Sequence, residues 1–198
     1  YAWRERETIL DILEEISGGR VAHGANVIGG VRTDISAAQA HLFSSRLREF
    51  NRQTSLFRDL IERDRSFHRR TEKLGVMDLN TVHRFGVVGP SARASGCELD
   101  LRLAQPYAAY PRLSFAIVKE DEGDVWSRAH VRLLEIIESV ALCQQVLQGL
   151  PEGALAVEAP RRMPPGEAVA RVEAPRGELL YYVQSEGGPH PTRVKIRT

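Results

Sequence analysis

The chain has 198 residues, 42% of them hydrophobic, and its 27 basic and 26 acidic residues leave a formal net charge of +1. One domain of this length can bury a sizeable core, and the near-neutral charge provides no overall field for attracting nucleic acid or anionic lipid. Two isolated cysteines argue against a disulfide framework, and no apolar run approaches the roughly 20 residues of a membrane-spanning helix. This composition, with no visible signal peptide, is typical of a cytosolic globular protein.

Helical periodicity dominates the first third of the chain. The first predicted helix has apolar residues at helical spacing, namely Ile9, Ile12, Leu13 and Ile16. Gly18 and Gly19 follow as its C-terminal stop. After a glycine-rich turn region over residues 24–34, Ser36 can cap a long second helix that runs to about Asp64.

That second helix is dense in arginine, a pattern that also occurs in nucleic-acid-binding stripes. Acidic residues are interleaved with the arginines at spacings of three or four: Glu49, Asp59, Glu62, Asp64 and Glu72. Such alternation is typical of a solvated helix face. Because aromatic side chains for base stacking are not interleaved on that face, we expect no nucleic-acid partner.

The remaining elements are helical up to residue 150 and β-like afterwards. Asp78 can cap a short helix that ends near Gly86, and a third long helix is predicted from about Asp124 to Leu147. Its predicted buried side comprises Val125, Ala129, Leu133, Ile136, Ile137, Val140 and Val146. Seven of the ten prolines lie from Pro151 onward, so helix is not expected there. Residues 178–183 and 193–197 are typical of a β-hairpin.

These elements predict a mainly α fold with a small β element, in the α+β class. We expect a core of long bundled helices and a hairpin near the C-terminus. Residues 1–150 would form a helical core with glycine-rich functional loops. Residues 151–198 would form a proline-rich connection and the β-hairpin of the same domain.

The segment over residues 86–110, GVVGPSARASGCELDLRLAQPYAAY, carries unusual chemistry and is predicted to be neither helix nor strand. Gly86, Gly89 and Gly96 allow a positive φ or a close backbone approach. A long connection of this composition is usually a binding or active-site loop. The alternative is a structural Ω-loop whose charges are satisfied internally.

Asp100 is the candidate functional carboxylate of this segment, with Arg93 and Arg102 near it in sequence. A carboxylate in a partly dry loop beside arginines can relay protons or fix the orientation of a partner. An ion pair with either arginine that only holds the loop is an equal alternative. Tyr107 and Tyr110 are amphipathic, and a structural role is the commoner one for such residues.

The sequence contains no recognisable set of metal ligands. Cys97 and Cys143 are not part of a CxxC pair, and the six histidines show neither HxxxH nor HExxH spacing. We therefore expect no nickel site within these residues.

Four segments in order resemble the nickel–iron hydrogenase large subunit superfamily. They are GGRVAHGANVIGGVRTD, the segment over residues 86–110, EGDVWSRAHVRLLEIIES and VEAPRGELLYY. The closest resemblance is to the branch that holds energy-converting hydrogenases and the hydrogenase-like subunit of complex I, the NADH–quinone oxidoreductase. The match covers nearly the whole chain, but the two CxxC pairs that hold nickel and iron in catalytic members do not occur in it.

The resemblance implies an oxidoreductase subunit that takes part in electron transfer, with coupled proton movement. It implies an iron–sulfur small subunit as partner, a membrane arm reached through other subunits, and a position on the cytoplasmic face of the membrane. The chain itself is expected to hold no cofactor. A nickel–iron centre is expected only if CxxC pairs occur outside these residues.

The resemblance also assigns roles to individual residues. Pro175 and Arg176 match the pair that lies over the open metal position in hydrogenases, although complex I relatives more often have lysine at the second position. The alternative is an Arg176–Glu173 ion pair at a strand turn. The aspartate that matches Asp100 contacts a histidine of the quinone pocket in complex I.

A further group of residues is expected at the substrate or partner loops: Arg32, Asp34, Arg93, Arg102 and Tyr107. The family places the region of Arg32 and Asp34 near the contact with the iron–sulfur partner. Two other function classes stay open. One is a non-catalytic scaffold of the same fold, and the other is a hydrolase that uses Asp100, Glu173 or Glu178, for which no nucleophile–base pair is visible.

Overall fold

The computed structural model describes residues 2–160 and 162–198, and within them the chain is mainly helical with a C-terminal sheet. The helices are α1 (Ala2–Ser17), α2 (Ala37–Arg63), α3 (Arg65–Thr71), α4 (Leu79–Phe85), α5 (Pro90–Arg93), α6 (Leu101–Ala104) and α7 (Val125–Gln148), with a 3-10 turn over Tyr110–Arg112. The strands are β1 (Asn26–Val27), β2 (Gly30–Val31), β3 (Gly166–Ala174), β4 (Gly177–Ser185) and β5 (Arg193–Arg197). The predicted fold class is confirmed.

Local capping chemistry sets the helix boundaries as the sequence predicts. The Ser36 hydroxyl accepts a hydrogen bond from the Gln39 backbone N–H at 3.3 Å, and the Gln39 side chain accepts from the Ser36 backbone N–H at 3.0 Å. This reciprocal pair is a capping box at the start of α2. Asp78 likewise accepts from the Thr81 N–H, and Gly86 ends α4 in the left-handed conformation.

Backbone contacts divide the chain into two compact units. The first runs to Leu56 and includes Val140–Pro160, and the second contains Phe57–Ser139 together with the residues from 162 onward. Both α2 and α7 contribute residues to each unit. The boundary at residue 150, which was inferred from composition, stays a prediction about the domain organisation.

The first unit has an apolar core built from α1, α2 and the end of α7. Its buried residues are Ile12, Phe43, Leu47 and Val140, and Ile9 and Ile16 pack against them. The predicted buried side of α7 is partly wrong, because Ile136 is 39% exposed whereas Val131 and Leu142 are buried. Since α7 serves two units, one apolar stripe does not describe all of it.

The C-terminal sheet has three antiparallel strands in the order β3-β4-β5. Tyr181 pairs with Ile196 across β4 and β5, so the predicted hairpin is confirmed, and Ala174 pairs with Gly177 at the β3–β4 turn. Strand β3 was not predicted from the sequence. Its residues, GEAVARVEA, include only two β-branched side chains among alanine, glutamate and arginine, which weakens the strand signal.

The segment over residues 86–110 is not wholly irregular, which corrects the prediction. Gly89 and Pro90 start the single-turn helix α5, and the Asp100 side chain caps the single turn of α6 through the Arg102 N–H. Helices of one turn bury too few residues to leave a periodic pattern, so the sequence could not reveal them.

Two glycines place the β3–β4 turn directly against this segment. Gly177 has φ +121°, and a Cβ there would lie 2.6 Å from the Gly89 nitrogen; Gly89 has φ +66°, and its Cβ would lie 2.5 Å from the Arg176 carbonyl oxygen. The backbones therefore touch without intervening side chains. This contact fixes the position of Glu173 near Arg93.

We expect Gly177→Ala to lower the free energy of unfolding by about 3 kcal/mol or more, because strain of about 1–3 kcal/mol is joined by a backbone clash. Gly166→Ala is the matched control, since Gly166 also has a positive φ, +144°, but no heavy atom lies within 4 Å of its Cβ position. Denaturant unfolding of the full-length protein would measure both. Equal losses for the two variants would show that the glycine–glycine contact contributes nothing.

Candidate functional site

Arg93 is the centre of a buried polar cluster in the second unit. It ends α5, and its side chain is 2% exposed. Its Nε donates to Glu135 Oε1 at 2.6 Å, and its Nη1 donates to Glu173 Oε1 at 2.9 Å and to the Leu99 carbonyl at 3.0 Å. Desolvation lowers the pKa of this guanidinium. The two glutamates raise the pKa by more than desolvation lowers it, so the net shift is upward.

Asp100 lies near the same guanidinium. Its carboxylate is 3.8 Å from Arg93 Nη1, and its side chain is 1% exposed. Arg102 binds it with two groups, Nη2 at 2.6 Å and Nε at 3.0 Å. Burial raises the pKa of Asp100, but the hydrogen bonds from the Arg102 side chain and backbone outweigh burial and hold it below the ordinary value.

Glu173 comes from β3 and connects three segments of the unit. Besides Arg93, its carboxylate accepts a hydrogen bond from the Leu101 N–H at 3.2 Å. The Tyr107 hydroxyl accepts from the Glu173 backbone N–H at 3.0 Å. The Tyr107 and Tyr110 rings meet edge to face with centroids 4.9 Å apart. Because Tyr107 belongs to the segment over residues 86–110, its hydrogen bond with Glu173 joins that segment to β3.

The cluster opens into a cleft of about 400 Å³. Arg93, Arg102, Glu135 and Glu173 all line it, together with Arg132, Tyr110 and Pro175. Arg132 is exposed on α7 and donates to the Ser91 hydroxyl at 3.0 Å. The cleft thus joins a buried charge network to solvent, an arrangement that can bind a polar molecule or pass protons.

Pro175 and Arg176 form the exposed β3–β4 turn. Pro175 lines both the main cleft and a second cavity of about 270 Å³, and Arg176 lines the second cavity with Glu178 and Thr198. One alternative from the sequence was an Arg176–Glu173 ion pair. In the structure, Glu173 binds Arg93 instead. The catalytic roles assigned to Pro175, Arg176 and Asp100 stay predictions.

Four of the predicted site residues lie together in the structure: Arg93, Asp100, Arg102 and Tyr107. Arg32 and Asp34 belong to the first unit, on the exposed loop that follows β2. Asp34 accepts a hydrogen bond from the neighbouring Ile35 N–H at 2.8 Å. Their assignment to a partner loop stays a prediction.

Sequence reasoning missed Glu135, the residue that closes the cluster from α7. Its environment in the sequence, LLEIIES, is a signal that could have found it, because a carboxylate flanked by four apolar residues in a helix is unusual on a solvated face. Arg132, three residues earlier, was missed as well. Neither residue is near Arg93 in the sequence.

The family model of the respiratory-chain NADH dehydrogenase 49 kDa subunit matches residues 1–165 and 157–198. The chain belongs to this family. An NADH-quinone oxidoreductase subunit of Rhizobium meliloti (strain 1021) is 34% identical over 232 residues, which cover 100% of this chain and 56% of the relative. The carbon monoxide-induced hydrogenase of Rhodospirillum rubrum is 38% identical over 196 residues, covering 97% of this chain and 54% of that protein.

A solved relative shows the same fold. A chain of the membrane-bound sulfane sulfur reductase, an archaeal respiratory membrane complex, superposes with a TM-score of 0.92 at 35% identity, covering 99% of this chain and 55% of its own length. The resemblance to the hydrogenase and complex I branch is confirmed. The chain spans about half the length of these relatives.

Metal-ligand groups and membrane-spanning helices are both missing from the described ranges. Across residues 2–160 and 162–198, no three His, Cys, Asp or Glu side chains are grouped to hold a metal ion. None of the helices in this part of the chain is long and apolar enough to cross a bilayer.

Proposed function

We propose that this chain works as the hydrogenase-like subunit of a respiratory oxidoreductase of the complex I or energy-converting hydrogenase type. The relatives support this, since they are an NADH-quinone oxidoreductase subunit, an induced hydrogenase and a chain of a respiratory membrane complex. An iron–sulfur small subunit would supply the electrons. It would dock near residues 24–34 and 86–110, and other subunits would hold the assembly on the cytoplasmic face of the membrane.

The observation that supports coupled proton movement is the charge balance of the buried cluster. The guanidiniums of Arg93 and Arg102 face the carboxylates of Asp100, Glu135 and Glu173. With every group ionised, the formal charge of this set is −1. The cluster therefore has one carboxylate more than it has guanidiniums, and it borders a cleft from which a proton can reach it.

Each residue then has a physical role in proton movement. Arg102 keeps Asp100 ionised through paired hydrogen bonds, and Arg93 holds the two glutamates in place. Glu135, with a side chain 16% exposed, is the carboxylate nearest to solvent among those that bind Arg93. We assign Glu135 as the group that exchanges a proton with the cleft.

Arg176 and Pro175 would act at the reacting centre, as the resemblance implies. The exposed guanidinium of Arg176 at a tight turn is placed to bind an anionic or carbonyl oxygen from outside this chain. A quinone, a proton or sulfane sulfur could be the electron acceptor, since the relatives' names cover all three chemistries.

The proton role predicts that Glu135→Gln lowers turnover of the assembled complex by about 100-fold, because glutamine still accepts from Arg93 but cannot carry a proton. Turnover should be measured as acceptor-dependent electron transfer, with subunit content checked in the same sample. Glu122→Gln is the matched control, since Glu122 is exposed in the same unit. Full turnover of Glu135→Gln in an intact complex would rule out the proton role.

A further inference from the structure

A second group of ionisable side chains surrounds Trp126 in the second unit, apart from the Arg93 cluster. The indole ring contacts two imidazoles. His68 is 4.1 Å away between centroids, and His130 is 5.3 Å away and nearly parallel, with 13° between the planes. Phe67 meets the indole edge to face at 5.8 Å. A positively charged imidazole over the face of tryptophan is a favourable arrangement.

Both ring nitrogens of His130 face carboxylates. Nδ1 is 2.7 Å from Glu120 Oε1, and Nε2 is 3.0 Å from Glu62 Oε1. A neutral imidazole has one N–H and one lone pair, so it can donate to only one of these acceptors. The two hydrogen bonds therefore require one additional proton on the group formed by His130, Glu62 and Glu120.

His68 has the same requirement. Its Nδ1 is 2.6 Å from the Glu72 carboxylate, and its Nε2 is 2.9 Å from the backbone carbonyl of Glu62. A backbone carbonyl can only accept, so Nε2 must carry hydrogen, and an ionised Glu72 then needs a second N–H at Nδ1. The Glu62 carbonyl, followed by the Glu72 side chain, raises the pKa of His68 above its ordinary value.

Charged groups of both signs lie near this assembly. Arg58 on α2 is 3.6 Å from Glu62 and also pairs with Asp59, and Arg128 lies between Trp126 and His130 on α7. Asp64 caps α3, and its charge adds to that of Glu72 in favouring the protonated form of His68.

We propose that His68, Trp126 and His130, together with Glu62, Glu72 and Glu120, form a pH-sensitive latch that closes when His68 binds a proton. The latch joins three elements, since Glu62 lies on α2, His68 on α3, and Trp126 and His130 on α7. Deprotonation of His68 removes one of its two hydrogen bonds and its cation–π contact with Trp126. The latch then opens.

The direction of the pH effect follows from the shift at His68. A histidine whose pKa is raised on folding contributes stability that is fully present below its ordinary pKa of about 6.5 and is lost as pH rises through the folded value. The latch is therefore closed in mildly acidic solution and opens as the pH rises through the folded pKa of His68. Because α7 also carries Arg132 and Glu135, opening loosens the helix that lines one wall of the cleft.

Amide hydrogen exchange of the full-length protein tests the latch at about pH 6 and about pH 9, with rates corrected for intrinsic exchange. We expect protection of α3 and of the first turns of α7 to fall roughly tenfold between the two pH values, as charge-assisted hydrogen bonds are lost. The double variant His68→Gln, His130→Gln should show little pH dependence and low protection at both values. His41→Gln is the control, since His41 is exposed on α2 in the first unit.

Two results would overturn the latch. One is equal protection of the wild type at both pH values, and the other is an unchanged pH dependence in the double variant. If the double variant does not fold, Glu72→Gln provides the test, because it removes the carboxylate at His68 Nδ1 and keeps both imidazoles. It should reduce the pH-dependent loss of protection in α3, and an undiminished loss would contradict the latch.

Discussion

Replacing Arg93 with methionine is expected to lower the free energy of unfolding by about 3–5 kcal/mol, the typical cost of breaking a buried ion pair from one side. The side chain is 2% exposed and neutralises carboxylates from three different segments, Asp100, Glu135 and Glu173. Methionine has a similar length but removes the guanidinium that donates to Glu135 and Glu173 and faces Asp100. Chemical denaturation of the full-length protein at neutral pH measures the loss.

Arg52→Met is the control for Arg93→Met. Arg52 is 59% exposed and pairs with Glu49 on the surface of α2, so its replacement should cost no more than about 1 kcal/mol. Acidification should reduce the difference between Arg93→Met and the wild type, because protonated carboxylates no longer need the guanidinium. Similar stabilities for the two methionine variants would contradict a structural role for the cluster.

Replacing Arg176 with alanine is expected to raise the barrier to turnover by about 2–4 kcal/mol, if the guanidinium stabilises charge that develops in the reaction. Arg176→Lys should have a smaller effect, since it exchanges a planar, two-pronged donor for a point charge. Stability should change little in both variants because Arg176 is exposed at the β3–β4 turn. The measurement is electron transfer by the assembled complex.

Arg193→Ala serves as the control for Arg176, since Arg193 is exposed on β5 in the same sheet. It should leave turnover unchanged. Full activity of both Arg176 variants would show that Arg176 has only a structural role. Pro175 would then have no catalytic residue next to it.

Features that depend on a few consecutive residues could be predicted from the sequence. The Ser36 and Asp78 caps, the Gly86 stop and the hairpin through Tyr181 and Ile196 all follow from local chemistry. Strand β3 could not be identified in this way, because alanine, glutamate and arginine have no clear strand preference and its pairing with β4 determines its state.

The same distinction between contacts of residues close together and far apart in the sequence applies to the candidate site. Asp100 and Arg102 are two residues apart, and their ion pair was one of the two alternatives that the sequence left open. The contacts of Arg93 with Glu135 and Glu173 span 42 and 80 residues. A single sequence does not reveal contacts at such separations, and the cluster depends on the Gly89–Gly177 contact, which brings the segments together.

The most direct test of the proposed function is purification of the full-length protein from its host under native conditions, followed by identification of co-purifying proteins and iron analysis. We expect an iron–sulfur partner in a one-to-one ratio with this chain, in a membrane-associated complex. Purification of the chain alone, with neither iron nor a partner, would contradict the proposed function.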